Sequence, residues 1–79
     1  MNEIVVFYSN KCHTCQDHIK ELDKKWKSEK ICVDDFPELY EEYHLNVTPT
    51  TIVKKLDFEI WRCEGMMFDK QYEEMRRFL

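Results

Sequence analysis

Blocks of apolar and polar residues along the first half of the chain predict a strand, a helix and a second strand. Residues 3–8 (EIVVFY) form an apolar run rich in β-branched and aromatic side chains, too short for a helix and typical of a buried central strand. From residue 12, apolar side chains recur in steps of four, three and four, the spacing of one stripe along a helix: Cys15, Ile19, Leu22 and Trp26. Residues 30–34 (KICVD) predict the second strand.

The second half of the chain predicts a helix, a hairpin and a last helix. Residues 34–45 indicate a helix with Pro37 in its first turn and three side chains facing inward: Leu39, Tyr40 and Tyr43. Residues 50–55 and 58–63 are close enough in sequence to form an antiparallel hairpin. Residues 69–79 carry apolar positions at helical spacing, with acids early and arginines late, as the helix dipole favours.

The predicted order is therefore β-α-β-α-β-β-α. A right-handed crossover makes the first two strands parallel, and the hairpin completes a mixed four-stranded sheet whose faces three helices can cover. We predict an α/β protein with one domain over residues 1–79 and with strands two and four at opposite sheet edges. Five aromatic side chains are the first candidates for its core: Tyr8, Trp26, Tyr40, Tyr43 and Phe58.

Composition and charge narrow the possible functions. The chain is 43% hydrophobic and 14% aromatic, which indicates a folded domain and not a disordered one. Twelve basic and 16 acidic side chains give a net charge of −4, so neither nucleic acid nor an anionic membrane is an expected partner. No apolar segment has the length of a membrane span or the form of a signal peptide, so we expect a cytoplasmic protein with reduced thiols.

Two of the four cysteines, Cys12 and Cys15, lie where the first strand gives way to the first helix. A helix N-terminus presents unpaired N–H groups and the positive end of the dipole, which favour a thiolate at Cys12. Lys11 and a protonated His13 would add positive charge and lower the Cys12 pKa further. Spacing of i, i+3 brings the sulfur of Cys15 against that of Cys12, so one can attack a disulfide and the other can resolve the intermediate.

With this motif in place, the sequence resembles the thioredoxin family over essentially its whole length, in the short form that starts at the redox strand, as in glutaredoxins and small glutaredoxin-like thioredoxins. The resemblance depends on three features in order: VVFYSNKCHTC before a helix, VDDFPELYEEYHLNVTPT before a hairpin, and Gly65 before the last helix. It implies a minimal thioredoxin fold. It also implies a cis peptide bond before Pro49 and substrate-binding positions at Thr48, Pro49 and Gly65.

Some positions differ from the family pattern. Val6 occupies the place where many thioredoxins have a buried Asp, and Lys11 the place of their Trp. Thr14, Thr48 and the segment EGMMFD differ from the residues with which glutaredoxins hold glutathione. These differences favour a thioredoxin-like substrate mode on a glutaredoxin-sized scaffold.

The sequence also offers alternatives for its cysteines and histidines. Cys12, Cys15 and His18 have metal-ligand spacing, but structural zinc needs a fourth ligand. Cys32 and Cys63 would lie on opposite edges of the sheet, so we interpret them as small strand residues and predict no metal site. We place His18 and His44 at the surface.

We therefore predict a thiol–disulfide oxidoreductase that reduces protein disulfides, with Cys12 as nucleophile and Cys15 as resolving thiol. Its partners would be disulfide-containing proteins and a thioredoxin reductase-type or low-molecular-weight thiol reductant. We expect it to act as a monomer without a cofactor. The alternative is a binding module of the same fold that holds a metal, an iron–sulfur cluster or a partner chain through the CxxC surface.

Overall fold

The computed structural model describes residues 2–79, and its elements follow the predicted order. In chain order they are β1 (Glu3–Tyr8), α1 (His13–Asp23), β2 (Glu29–Cys32), α2 (Leu39–Glu42), β3 (Thr50–Lys55), β4 (Phe58–Glu64) and α3 (Asp69–Arg76).

The four strands form one mixed sheet in the order β2-β1-β3-β4. The apolar strand β1 lies inside the sheet, parallel to β2 and antiparallel to β3. The predicted hairpin joins β3 to β4, and Leu56 in its turn has a φ of 56°. The mixed sheet and the placement of Cys32 and Cys63 on opposite edge strands are confirmed.

Side chains of β1 alternate between two apolar layers, as strand geometry requires. On the α1/α3 face the core consists of Ile4, Val6, Leu22, Val53, Met67 and Met75. On the α2 face it consists of Val5, Phe7, Val33, Leu45 and Ile52. Helices α1 and α3 cover the first face, whereas the short α2 and its flanking turns cover the second. Because β1 contributes to both layers, its carboxyl end is held in a fixed place.

The predicted helix over residues 34–45 is wrong in length, because α2 spans only Leu39–Glu42. Pro37 disfavours a helical conformation at the residue before it, so the helix begins late. His44, with a φ of 54°, ends it. Tyr40 is 41% exposed and does not face inward, whereas Tyr43 packs on the core of the α2 face.

Two further expectations about apolar side chains fail at the ends of elements. Phe58 begins the edge strand β4 and is 72% exposed, so it is not a core residue. Helix α3 ends at Arg76, which leaves Phe78 and Leu79 exposed beyond it. Within residues 2–79, no helix combines the length and the hydropathy needed to cross a membrane.

Candidate active site

Cys12 caps the N-terminus of α1. A turn follows β1, and the Cys12 N–H donates to the Ser9 carbonyl at 3.1 Å. The backbone of Cys12 is extended (φ −104°, ψ 108°), so its side chain folds over the helix start and Sγ accepts the N–H of Cys15 at 3.2 Å. A sulfur thus fills the position that serine or aspartate usually occupies at an N-cap, and it satisfies one of the free amides there.

The Cys12 sulfur has two more polar neighbours. The hydroxyl of Thr14 lies 3.2 Å from Sγ, and the thiol can donate to the Thr48 carbonyl at 3.6 Å. Partial burial opposes ionisation of this thiol. Hydrogen bonds with Cys15, with Thr14 and with the side chain of Thr48 outweigh it, so the pKa of Cys12 lies below its ordinary value. Cys12 therefore combines partial exposure with a stabilised thiolate.

Cys15 lies one turn further along α1 and is fully buried. Burial, followed by the hydrogen bond with Cys12, raises the pKa of Cys15 to about 11. The structure therefore brings the two predicted sulfurs together and gives them opposite acidities. The Cys12 thiol therefore ionises more readily than the Cys15 thiol.

Thr48 lies beside Cys12, and Pro49 and Gly65 are joined next to Thr48. The Thr48–Pro49 peptide bond is cis, and Pro49 is fully buried. The Gly65 N–H donates to the Pro49 carbonyl at 2.7 Å, which joins the end of β4 to the start of β3. Gly65 has a φ of 86°, a conformation that favours glycine, and no atom lies within 4 Å of the place a Cβ would take. Substrate binding at these residues stays a prediction.

Lys11 and His13 flank Cys12, and both side chains are exposed. The hydrogen bonds described above lower the Cys12 pKa. The charge of Lys11 acts on Asp34, where it helps to lower the carboxyl pKa after the larger effects of the hydrogen bonds from Asn10 and Ser9. A tuning role for Lys11 and His13 therefore stays a prediction.

Asp34 supports the site, although the sequence did not predict it. Its carboxylate accepts the Ser9 hydroxyl at 2.8 Å and the Asn10 N–H at 2.9 Å, and it thereby fixes the turn that leads to Cys12. Polar residues follow both β1 and β2, and the carboxyl ends of parallel strands meet at one edge of a sheet. The position of Asp34 just after β2 was the signal in the sequence that could have identified it.

The prediction that His18 lies at the surface is wrong. Its side chain is fully buried on the α1/α3 face, and Nε2 lies 2.7 Å from the Thr51 hydroxyl. His18 is in phase with Cys15 and Leu22, the other buried residues of α1. That periodicity could have shown its burial. His44 is exposed, as predicted.

Residues 2–79 do not form the metal site that the spacing of Cys12, Cys15 and His18 offered as an alternative. Within residues 2–79 no group of three or more His, Cys, Asp or Glu side chains is arranged to hold a metal ion. The His18 Nε2 atom is already engaged by Thr51, and all four cysteines are free thiols.

Solved structures of similar shape include several thioredoxins. The germline-specific thioredoxin Deadhead of Drosophila melanogaster has a TM-score of 0.80 and 22% identity, covering 99% of this chain and 81% of that chain. Thioredoxin 1 of Thermosipho africanus has a TM-score of 0.80 and 21% identity, with coverages of 96% and 92%. The Fasciola hepatica thioredoxin has a TM-score of 0.82 and 22% identity, with coverages of 96% and 79%.

Neither a protein-family model nor a curated protein matches the sequence. The structural likeness nevertheless extends over nearly the entire chain. The chain therefore has the thioredoxin fold.

Proposed function

We propose that the protein is a thiol–disulfide oxidoreductase that reduces protein disulfides through Cys12 and Cys15. One observation carries the proposal: a half-buried sulfur at a helix start accepts the N–H of a fully buried second cysteine at 3.2 Å. The likeness to thioredoxin structures supports the same chemistry.

The reaction has two exchange steps. The Cys12 thiolate attacks one sulfur of the target disulfide, which forms a mixed disulfide and releases the other target sulfur as a thiolate. Cys15 then attacks Cys12 Sγ, so that the Cys12–Cys15 bond forms and the second target thiolate leaves. Two electrons pass from the two cysteines to the target. An external thiol reductant afterwards restores both thiols.

Backbone groups beside Cys12 fit an extended target chain. The Thr48 carbonyl faces the sulfur, and Gly65 leaves open space next to the Pro49 carbonyl. In the proposed complex, the segment around the target disulfide lies along Thr48 and Gly65, while its sulfur approaches Cys12. Protein disulfides are thus the proposed substrates, and a reducing compartment such as the cytoplasm suits the four free thiols.

Coupled turnover tests this proposal. Reduction of a protein disulfide, such as that of insulin, is followed with NADPH and thioredoxin reductase, and in parallel with glutathione and glutathione reductase. We expect turnover in at least one system, and the faster one identifies the class of reductant. The Cys63→Ser variant is the matched control and should keep the activity, because Cys63 lies on β4 outside the pair. Absence of turnover in both systems would contradict the proposal.

A further inference from the structure

His18 is a polar side chain in an otherwise apolar layer, and half of its hydrogen-bonding capacity is unused. It is fully buried, yet only one ring nitrogen has a partner: Nε2 lies 2.7 Å from Thr51 Oγ1, whereas Nδ1 has none. Nearly all buried polar atoms in proteins are paired, so an unpartnered one calls for an explanation.

The position of His18 relative to Cys15 suggests that explanation. The two residues are three apart on α1, on the same buried stripe. Side chains on a helix lean towards its N-terminus, so the imidazole of His18 leans towards the turn that carries Cys15. We call Cys15, His18 and Thr51 the buried floor of the site.

The other titratable groups that face His18 are all proton donors. They are Cys15 on α1, Cys63 on β4 opposite Thr51, and Tyr72 on α3, whose ring centroid lies 6.5 Å from that of His18. Strand β1 contributes Val6 opposite Thr51, which does not titrate. The nearby charges are carboxylates that act on Tyr72 and Cys63: Glu21, Asp69, Glu64 and Glu74.

The pKa shifts of these groups leave His18 as the one base in the cluster at neutral pH. Burial raises the pKa of Cys15, Cys63 and Tyr72, so each keeps its proton at neutral pH. Burial lowers the pKa of His18, so the imidazole is neutral and has one nitrogen lone pair to offer.

We propose that His18 Nδ1 accepts the proton of the Cys15 thiol when the mixed disulfide on Cys12 is resolved, a role that rests on the proposed function. The Cys15–H bond breaks as Sγ of Cys15 attacks Sγ of Cys12, and its proton passes to Nδ1 across one bridging water. The Cys12–substrate bond breaks, and the substrate sulfur leaves with the electron pair. That thiolate then takes a proton, and His18 returns to its neutral form.

Thr51 is the positioning residue in this arrangement. With Nε2–H donated to its hydroxyl, the lone pair of the ring resides on Nδ1, and the ring is held in one orientation.

The test follows the two thiol-exchange steps separately. Reaction of the reduced protein with one equivalent of Ellman's reagent releases one thionitrobenzoate when Cys12 attacks and a second when Cys15 resolves. His18→Gln keeps an amide near Thr51 but has no basic nitrogen. We expect its first phase to match wild type and its second phase to slow by about tenfold or more at neutral pH. The second phase should also become proportional to hydroxide concentration. The control His44→Gln, an exposed histidine outside the site, should keep both wild-type phases.

The outcomes separate the two proposals. A second phase in His18→Gln with the wild-type rate and pH profile would overturn the role of His18 and leave the proposed function intact. Loss of the first phase in wild type would instead remove the proposed function. Nitrogen-15 NMR of the reduced wild-type protein gives an independent test that needs no variant. We expect the imidazole proton on Nε2, and a proton on Nδ1 near neutral pH would overturn the inference.

Discussion

The helix-start rim (Cys12, Thr14 and Thr48) and the buried floor (Cys15, His18 and Thr51) place the same chemical group, a thiol, in opposite environments. At the rim, hydrogen bonds to the Cys12 sulfur outweigh partial burial and lower its pKa. At the floor, complete burial dominates and raises the pKa of Cys15 to about 11. The difference arises within one helical turn. It shows that burial and hydrogen bonding, and not residue type, set the acidity of each cysteine.

Removing each sulfur in turn should give the largest and most distinct effects. Cys12→Ser should abolish protein-disulfide reduction, because the attacking sulfur is gone. Cys15→Ser should still attack but should accumulate the mixed disulfide on Cys12, because no second thiol resolves it. Mass spectrometry of the protein after mixing with substrate measures the adduct. An adduct on Cys15 in the Cys12→Ser protein, with turnover retained, would reverse the assigned roles.

Alkylation measures the contrast between rim and floor directly. The Cys12 pKa lies below 9.0 and that of Cys15 is about 11, so their thiolate fractions at neutral pH differ by more than about 100-fold. The lower intrinsic nucleophilicity of the more acidic thiol offsets part of this difference. We expect iodoacetamide to label Cys12 at least about tenfold faster than Cys15. Peptide mapping over time gives both rates, and faster labelling of Cys15 would show that the contrast is wrong.

Lowering the pH should reduce the free energy of unfolding through His18 in the buried floor, without an equal effect at the helix-start rim. The folded-state pKa of His18 lies below its ordinary value of 6.5. The contribution of neutral His18 to stability is therefore complete above pH 6.5 and is lost as the pH falls towards the folded-state value. The slope from one group is at most about 1.4 kcal/mol per pH unit. Urea unfolding between neutral and mildly acidic pH measures it.

The variants His18→Gln and His13→Gln form the matched pair for that measurement. His18→Gln should lose this part of the pH dependence, whereas His13→Gln should keep it, because His13 is exposed at the helix start. Equal curves for the two variants would mean that burial of His18 contributes nothing to the acid response.

The smallest expected effects concern the groups around Cys12 that lower its pKa. Thr14→Val removes a hydroxyl 3.2 Å from the Cys12 sulfur and should raise its pKa by about half a unit to one unit, as expected for one hydrogen bond. Lys11→Gln/His13→Gln should raise the pKa by less, because both charges are exposed and screened. Thiolate absorbance against pH measures all three proteins. A larger shift in the double variant would make flanking charge the main cause.

The sequence was most informative where one physical signal dominated. The β-branched run of β1, the CxxC motif and the short link of the hairpin sufficed to predict the sheet and the proximity of Cys12 to Cys15. The course of residues 34–45 was not predictable in the same way. There the carboxylate of Asp34 binds the turn after β1, through the N–H of Asn10, a residue 24 positions away in the chain.

The prediction that His18 lies at the surface was wrong for a related reason. A histidine on a helix is usually a surface residue, and its burial here depends on one hydroxyl from a strand more than thirty residues further along the chain. The helical spacing of His18 from Cys15 and Leu22 could suggest that it faced inward. Only the sheet register, which places Thr51 between Val6 and Cys63, shows what it meets there.

The link between Asp34 and the turn after β1 has a consequence for the proposed exchange with target disulfides. The carboxylate holds Ser9 and Asn10 to the end of β2, and the Ser9 hydroxyl in turn accepts the Lys11 N–H. The backbone leading into Cys12 thus loses much of its conformational entropy during folding, before any target arrives. The sulfur is preorganised, and little of the binding free energy of a target is needed to orient it.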